Sequence, residues 1–191
     1  MQIWAGLGNP GPSYALHRHN VGFMAVDAIA AFHDFGPVRK QFSGWTQEGR
    51  IGRHKLLLLK PATFMNDSGR SLGEALRFFK LAPDALTVFY DELDLAPFKM
   101  KVRVGGGAAG HNGIRSAAQH LGPEFRRVRL GIGHPGHKDR VTGHVLGNFA
   151  KVEMDDLSDM LGAVAAEAGW LADGDGVRFM NDVALRQAAH G

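Results

Sequence analysis

The chain of 191 residues contains no cysteine. This absence excludes disulfides, thiolate catalysis and metal sites that use cysteine ligands. No apolar run approaches the roughly 18 residues that cross a bilayer, and no basic N-terminal region precedes a short apolar stretch. We therefore expect a soluble, cytoplasmic protein without a membrane partner.

Charge of either sign is modest, with a net charge of +3 and an isoelectric point of about 9.4. Such an excess of lysine and arginine points to a polyanionic partner only if it is concentrated on one face. Hydrophobic residues make up 45% of the chain and charged residues 21%, as in an ordinary globular protein. Because no linker or repeat divides the sequence, we predict a single domain over residues 1–191.

Short apolar runs alternate with amphipathic segments. The four leucines at 56–59 are typical of a strand buried on both faces. Related patterns predict strands at 1–7, 54–60, 86–90, 98–104 and 127–132. Helical spacing predicts helices at 20–32, with Asn20 as N-cap, and at 66–80, 112–121, 152–172 and 179–189. This mixture predicts an α/β fold, with a central mixed, mostly parallel, twisted sheet flanked by helices on both faces.

The loop after the first predicted strand carries polar and titratable groups. Gly6 and Gly8 permit a sharp turn at the strand end, and two prolines stiffen the loop beyond it. Asn9 and His19 lie in this loop, and α/β proteins usually place their sites at such strand ends. These two residues are therefore candidates for a functional site.

One histidine among ten is by itself weak evidence, since most are ordinary surface residues. Asp91, at the end of a predicted internal strand, strengthens the case for His19. A carboxylate bonded to one ring nitrogen fixes the tautomer and leaves the other nitrogen free to accept a proton. Asp91 is equally compatible with a turn or cap, and sequence spacing does not establish that the two residues meet.

Three asparagines, Asn9, Asn66 and Asn112, sit at junctions between predicted elements. Asparagine at such positions most often serves as a cap or turn residue. Together with Tyr14 and Phe64, the three would also suit a pocket that binds peptide amides beside aromatic surfaces. Both interpretations stay open.

Lys99, Lys101 and Arg103 alternate with apolar residues and so project from one face of a predicted strand. Further positive charge comes from Arg126, Arg127, Arg129, Lys138 and Arg140. Such a surface could contact phosphates with little base specificity, or could be an ordinary solvated sheet face.

Two glycine patterns, beginning at Gly6 and Gly105, fit the dinucleotide fingerprint. Prolines obstruct the helix that should come after the first, and Asp27 lies inside a predicted helix instead of ending a second strand. The predicted strand before the second pattern carries three cations on one face, whereas the fingerprint follows a buried strand. An oxidoreductase and an RNA-binding module without catalysis are nevertheless rival functions. No histidine spacing matches a metal motif, so no metal is predicted.

Several motifs occur in order between residues 3 and 149. They are Gly6-Leu-Gly-Asn-Pro-Gly, Arg18-His-Asn-Val-Gly22, Lys60-Pro-Ala-Thr-Phe-Met-Asn66, Asp91-Glu-Leu-Asp-Leu95, His111-Asn-Gly113 and Gly131-Ile-Gly-His-Pro-Gly136. In this order they resemble the motifs of bacterial peptidyl-tRNA hydrolase. The resemblance implies a monomeric esterase without metal or cofactor that releases peptides from peptidyl-tRNA and so rescues aborted translation.

The resemblance also implies roles for individual residues. His19 is the catalytic base, Asp91 its orienting carboxylate, and Asn9 the residue that distinguishes N-blocked from free aminoacyl esters. Residues that hold the peptide or line the site near the tRNA end are Asn66, Asn112, Tyr14 and Phe64. Basic positions expected near tRNA phosphates are Lys101, Arg103 and Arg129.

Some positions depart from the family pattern. Ala108 and Ala109 stand in the glycine-rich segment where bulkier residues or glycine are usual. His17 replaces a common threonine and would add an imidazole near the base. Arg103 replaces a frequent lysine, which keeps the charge and adds forked donors suited to phosphate.

Overall fold

The computed structural model describes residues 1–190, whose strands form one mixed sheet of seven. The strands run in the order β2-β3-β4-β1-β5-β7-β6. The four from β4 to β7 in this order are parallel, whereas β2, β3 and β6 are antiparallel to their neighbours. The bounds are β1 Gln2–Gly6, β2 Arg39–Gln41, β3 Gly44–Ile51, β4 His54–Pro61, β5 Leu86–Glu92, β6 Met100–Val104 and β7 Arg126–Gly131.

Helices cover both faces of this sheet, as the sequence predicts. The helices are α1 Val21–Phe32, α2 Ser68–Phe79, α3 Asn112–Leu121, α4 Val141–Val145, α5 Met154–Ala166, α6 Ala168–Ala172 and α7 Gly176–His190. One apolar layer packs α1, α5, α6 and α7 against the sheet, and a second packs α2 and α3 against the other face. No helix within residues 1–190 has the length and apolarity needed to cross a membrane.

The leucine run in β4 shows why the central strands are apolar throughout. Leu56 and Leu58 enter the layer under α1, while Leu57 and Leu59 enter the layer under α2. All four are at most 1% exposed. Because successive side chains of a strand point to opposite faces, a strand covered on both sides needs apolar residues at every position.

The antiparallel hairpin of β2 and β3 is absent from the predicted elements. Its turn residues, Phe42 and Ser43, both have φ near +55°, a conformation usually marked by glycine or asparagine. The predicted helix at 152–172 is also wrong in one respect, since it divides at Glu167 into α5 and α6. Neither feature carries a local signal strong enough to be found by pattern.

The close approach of α1 to the sheet accounts for the first glycine pattern. A Cβ on Gly6 would lie 2.1 Å from the carbonyl oxygen of Gly22, and one on Gly22 would lie 2.3 Å from that of Phe89. These two glycines therefore let helix and strand backbones touch. They need no bound dinucleotide to explain them.

Candidate active site

Asp91 and His19 meet where two neighbouring parallel strands end. His19 lies on a helical turn, Arg18–Asn20, beyond the loop after β1, and Asp91 is near the carboxyl end of β5. Because β1 and β5 are adjacent and parallel, their ends bring these residues to one edge of the sheet. His19 Nδ1 lies 2.7 Å from Asp91 Oδ2, with the two side chains 11% and 2% exposed.

A second imidazole, that of His111, bonds the other oxygen of the same carboxylate. His111 Nε2 lies 2.7 Å from Asp91 Oδ1. The backbone N–H of Ile114 donates to His111 Nδ1 at 3.2 Å, so the ring proton must be on Nε2. His111 is therefore a neutral donor to Asp91. No such role is predicted for it from sequence, because a histidine directly before a helix carries no specific signal.

Asp91 is held in its ionised form. Burial alone raises the pKa of Asp91, but the electrostatic interactions and hydrogen bonds that it makes with His111 and His19 outweigh this effect and hold the pKa below its usual range. An ionised carboxylate only accepts hydrogen bonds, so His19 presents its protonated Nδ1 to Asp91. Nε2 of His19 makes no hydrogen bond within residues 1–190, which leaves it free to accept a proton from a ligand or water.

His19 opens into a cleft of about 450 Å³. Its walls include the segment 108–112, with Asn112, and also His134, Lys138 and residues of α4. A cleft of this volume matches the size range of small-ligand sites in proteins. The free nitrogen of the imidazole can therefore meet a substrate group.

Asn9 and Asn20 bond each other across the base of the first loop. The backbone N–H of Asn9 donates to Asn20 Oδ1, and Asn20 Nδ2 donates to the Asn9 carbonyl, each at 2.9 Å. Asn20 stands at the N-cap position of α1, but its side chain makes no hydrogen bond to the helix. The predicted role of Asn20 as a side-chain N-cap is therefore wrong. The backbone N–H of Met65 donates to Asn9 Oδ1 at 2.8 Å, which leaves Asn9 Nδ2 as a free donor.

Asn66 and Asn112, the other two junction asparagines, do not act as helix N-caps. Asn112 is the first residue of α3, whose cap is His111, and Asn66 lies one residue before Asp67 at the start of α2. Both side chains are exposed. Only Asn112 lines the cleft, and its Oδ1 accepts a bond from Arg115.

The predicted aromatic pair is in contact. The rings of Tyr14 and Phe64 pack edge to face with centroids 6.3 Å apart, and Phe64 is 60% exposed. Phe64 precedes Met65, whose bond to Asn9 joins this segment to the first loop. His17 packs its ring against Tyr14 and does not line the His19 cleft.

Three of the predicted basic residues share one sheet face. Lys101 pairs directly with Arg129 across β6 and β7, and Arg103 lies two residues further along the same face. Arg129 is 3.6 Å from Glu92, which lines the His19 cleft. The charged face therefore reaches the edge of the cleft.

Arg126 and Arg127 do not join this surface, contrary to their predicted contribution to phosphate contact. Arg126 points to the opposite face, where it bonds Thr87 and the Leu171 carbonyl. Arg127 has no solvent exposure. Neither side chain is available to a phosphate. Access depends on which face of the sheet a residue occupies and on whether it is buried, so a positive charge alone does not predict it.

Comparison with known proteins decides the family. A family model described as peptidyl-tRNA hydrolase matches residues 3–190. The chain belongs to the peptidyl-tRNA hydrolase family. It is 75% identical to the peptidyl-tRNA hydrolase of Novosphingobium aromaticivorans, with all of both chains covered, and 73% identical to that of Erythrobacter litoralis, covering 99% of this chain and all of the relative.

Solved structures agree with this assignment. The peptidyl-tRNA hydrolase of Acinetobacter baumannii superposes with a TM-score of 0.90 at 38% identity, covering 96% of this chain and 94% of that one. The resemblance stated from the motifs is thus confirmed. Membership of the peptidyl-tRNA hydrolase family favours ester hydrolysis over both rivals, the oxidoreductase and the RNA-binding module without catalysis.

In this member of the peptidyl-tRNA hydrolase family, the residues best placed to ligate a metal are His19, Asp91 and His111, whose ligand atoms lie within 4.8 Å of one another. Both facing nitrogens are instead bonded to the carboxylate. A metal on His111 Nε2 would move the ring proton to Nδ1, against the N–H of Ile114. The cluster fits a hydrogen-bonded triad better than a metal site, and metal independence stays a prediction.

Proposed function

We propose that this chain hydrolyses the ester between a peptide, or an N-blocked aminoacyl group, and the 3′-terminal ribose of tRNA. The products are free peptide and a tRNA that can be recharged. The observation that carries the proposal is the unbonded Nε2 of His19 at an open cleft, with Nδ1 held by an ionised Asp91.

The proposed reaction uses His19 as a general base. Neutral His19 takes a proton from water through Nε2 as the water oxygen attacks the ester carbonyl. The tetrahedral intermediate then expels the ribose oxygen, which receives the proton from His19. Asp91 stabilises the imidazolium between these steps, and general-base catalysis of this kind contributes roughly 10² to 10⁴ in rate.

Asn9 is the proposed donor to the substrate carbonyl. Its Oδ1 is occupied by the N–H of Met65, so Nδ2 is the atom left free to donate to a ligand. A donor aligned with the developing oxyanion contributes about 10² to 10³ in rate. The same amide would distinguish a peptide or N-blocked group from a free amino group.

The remaining predicted residues complete the binding surface in this proposal. Asn66 and Asn112 hold the peptide backbone, and Tyr14 and Phe64 contact the 3′ end of the tRNA. The acceptor phosphates lie on the cationic face formed by Lys101, Arg103 and Arg129.

We further propose that the enzyme acts as a monomer of one domain, because one chain supplies every group named above. The substrate is a product of translation, which places the proposed activity in the cytoplasm.

Release of the acyl group from N-acetyl-aminoacyl-tRNA, compared with free aminoacyl-tRNA, tests the proposal. We expect rapid release from the N-blocked substrate, slow release from the free one, and loss of turnover in His19→Ala. Binding of tRNA without release by the wild-type protein, or near wild-type turnover by His19→Ala, would show the assignment to be wrong.

A further inference from the structure

Arg127 in β7 is a fully buried cation without an acidic partner. It has no solvent exposure and forms no ion pair with a carboxylate among residues 1–190. Its guanidinium donates to the carbonyl oxygens of Gly107, Gly106 and Pro123 at 2.7, 2.8 and 3.1 Å. It also lies over the ring of Phe125, 4.6 Å from the centroid. Carbonyl dipoles and an aromatic face thus solvate this charge.

The carbonyls that Arg127 bonds belong mainly to the glycine-rich segment 105–110. Gly105, Gly106 and Gly110 have φ of +73°, +101° and +82°, and Ala109 has +48°. Such a segment has many accessible conformations and loses much entropy on ordering. It therefore depends on outside contacts to hold one shape, and the forked contacts of Arg127 fix its first half.

The second half of this segment forms a wall of the His19 cleft. Ala108, Ala109 and Gly110 line the cleft, and the segment ends at His111, which bonds Asp91. Tyr90, beside Asp91 in β5, packs its ring against that of His111 with centroids 5.1 Å apart. The positive charge of Arg127 also acts on the Tyr90 hydroxyl, against the effect of burial, which raises the pKa of Tyr90. Two routes therefore connect Arg127 to the carboxylate that orients His19.

We propose that Arg127 is a positioning residue that holds the segment 105–110 in one conformation. In this way it fixes one wall of the cleft and the position of His111 against Asp91. The inference rests on the proposed hydrolase function for its kinetic consequences. Its structural part, the ordering of the segment by the guanidinium fork, stands independently of the reaction.

Arg126 provides a matched control on the same strand. It also uses its guanidinium to bond a backbone carbonyl, that of Leu171 at 2.7 Å, together with the Thr87 hydroxyl at 2.8 Å. Because it projects from the opposite face of the sheet, it touches no part of the cleft. A lysine at either position keeps the charge but loses the fork.

The experiment compares Arg127→Lys with Arg126→Lys in peptide release from N-acylated aminoacyl-tRNA and in amide hydrogen exchange. For Arg127→Lys we expect a loss of about tenfold or more in kcat/KM, since small misplacements in a site are amplified in rate, and faster exchange at residues 105–110. For Arg126→Lys we expect kcat/KM within about twofold of wild type and unchanged exchange at residues 105–110. This holds even if its melting temperature falls by as much as that of Arg127→Lys.

Salt dependence separates positioning from phosphate contact. Because Arg127 is buried, Arg127→Lys should keep the wild-type dependence of KM on salt, and a flattened dependence would overturn the proposal in favour of direct tRNA contact. Equal kinetics in the two lysine variants, or unchanged exchange at 105–110 in Arg127→Lys, would also overturn it.

Arg127→Gln buries no charge and keeps an N–H donor, so it serves as the second variant if the lysine variant does not fold. The same faster exchange and kinetic loss are expected, and their absence counts against the proposal. If the wild-type protein releases no peptide, the hydrolase function fails, while hydrogen exchange still tests the contact between Arg127 and the glycine-rich segment.

Discussion

Replacing Asp91 with asparagine is predicted to place the proton of His19 on the wrong nitrogen. His111 keeps its proton on Nε2 because Ile114 donates to its Nδ1. The amide oxygen of an asparagine must then accept from His111, which turns its NH₂ group toward His19 Nδ1. His19 would respond by carrying its proton on Nε2, the atom that must accept one from water.

The expected magnitude is set by the loss of the base. General-base catalysis contributes roughly 10² to 10⁴ in rate, which corresponds to about 3 to 5 kcal/mol of activation free energy. We therefore expect kcat of Asp91→Asn to fall by about that factor, close to the loss in His19→Ala. Single-turnover release of the acyl group from N-acetyl-aminoacyl-tRNA measures it without interference from product release.

The double variant Asp91→Asn/His111→Ala tests the tautomer argument specifically. Without His111, the asparagine can turn its oxygen toward His19 Nδ1 and restore the productive tautomer. We expect the double variant to be more active than Asp91→Asn alone. Additive losses, or a loss of less than about tenfold in Asp91→Asn, would refute the reasoning.

Three further predictions concern other parts of the site. Charge reversal at Lys101 and Arg103 should raise KM and weaken its salt dependence at unchanged kcat, measured by initial rates between low and high salt. Asn9→Asp keeps the acceptor for the Met65 N–H but lacks the Nδ2 donor, so single-turnover release should slow by about 10² to 10³. The pKa of Asp91 is lower in the folded state than the usual value near 3.9, so its charge stabilises the fold above about pH 4 and this stabilisation is lost as pH falls further. Melting temperatures should therefore decline less steeply with acid in Asp91→Asn than in wild type.

Several elements were predictable because their signals are local. The leucine run in β4 and the helical spacing of α2 and α3 each appear within a dozen residues of sequence. The β2–β3 hairpin was not predictable, because its turn residues adopt positive φ without the usual glycine or asparagine. The break at Glu167 likewise has no marker, since the apolar pattern continues on both sides of it.

Local pattern was enough to nominate His19, Asp91 and Asn9, and the ordered motifs were enough to indicate the family, because both depend on residue identity and order along the chain. Tertiary structure alone decided that His111 shares the carboxylate with His19, and that Arg127 is buried against a glycine-rich segment while Arg129 reaches the cleft edge. The physical reason is that these contacts depend on which strands become neighbours and what covers each face. The spacing of residues within one segment does not indicate which strands become neighbours or what covers each face.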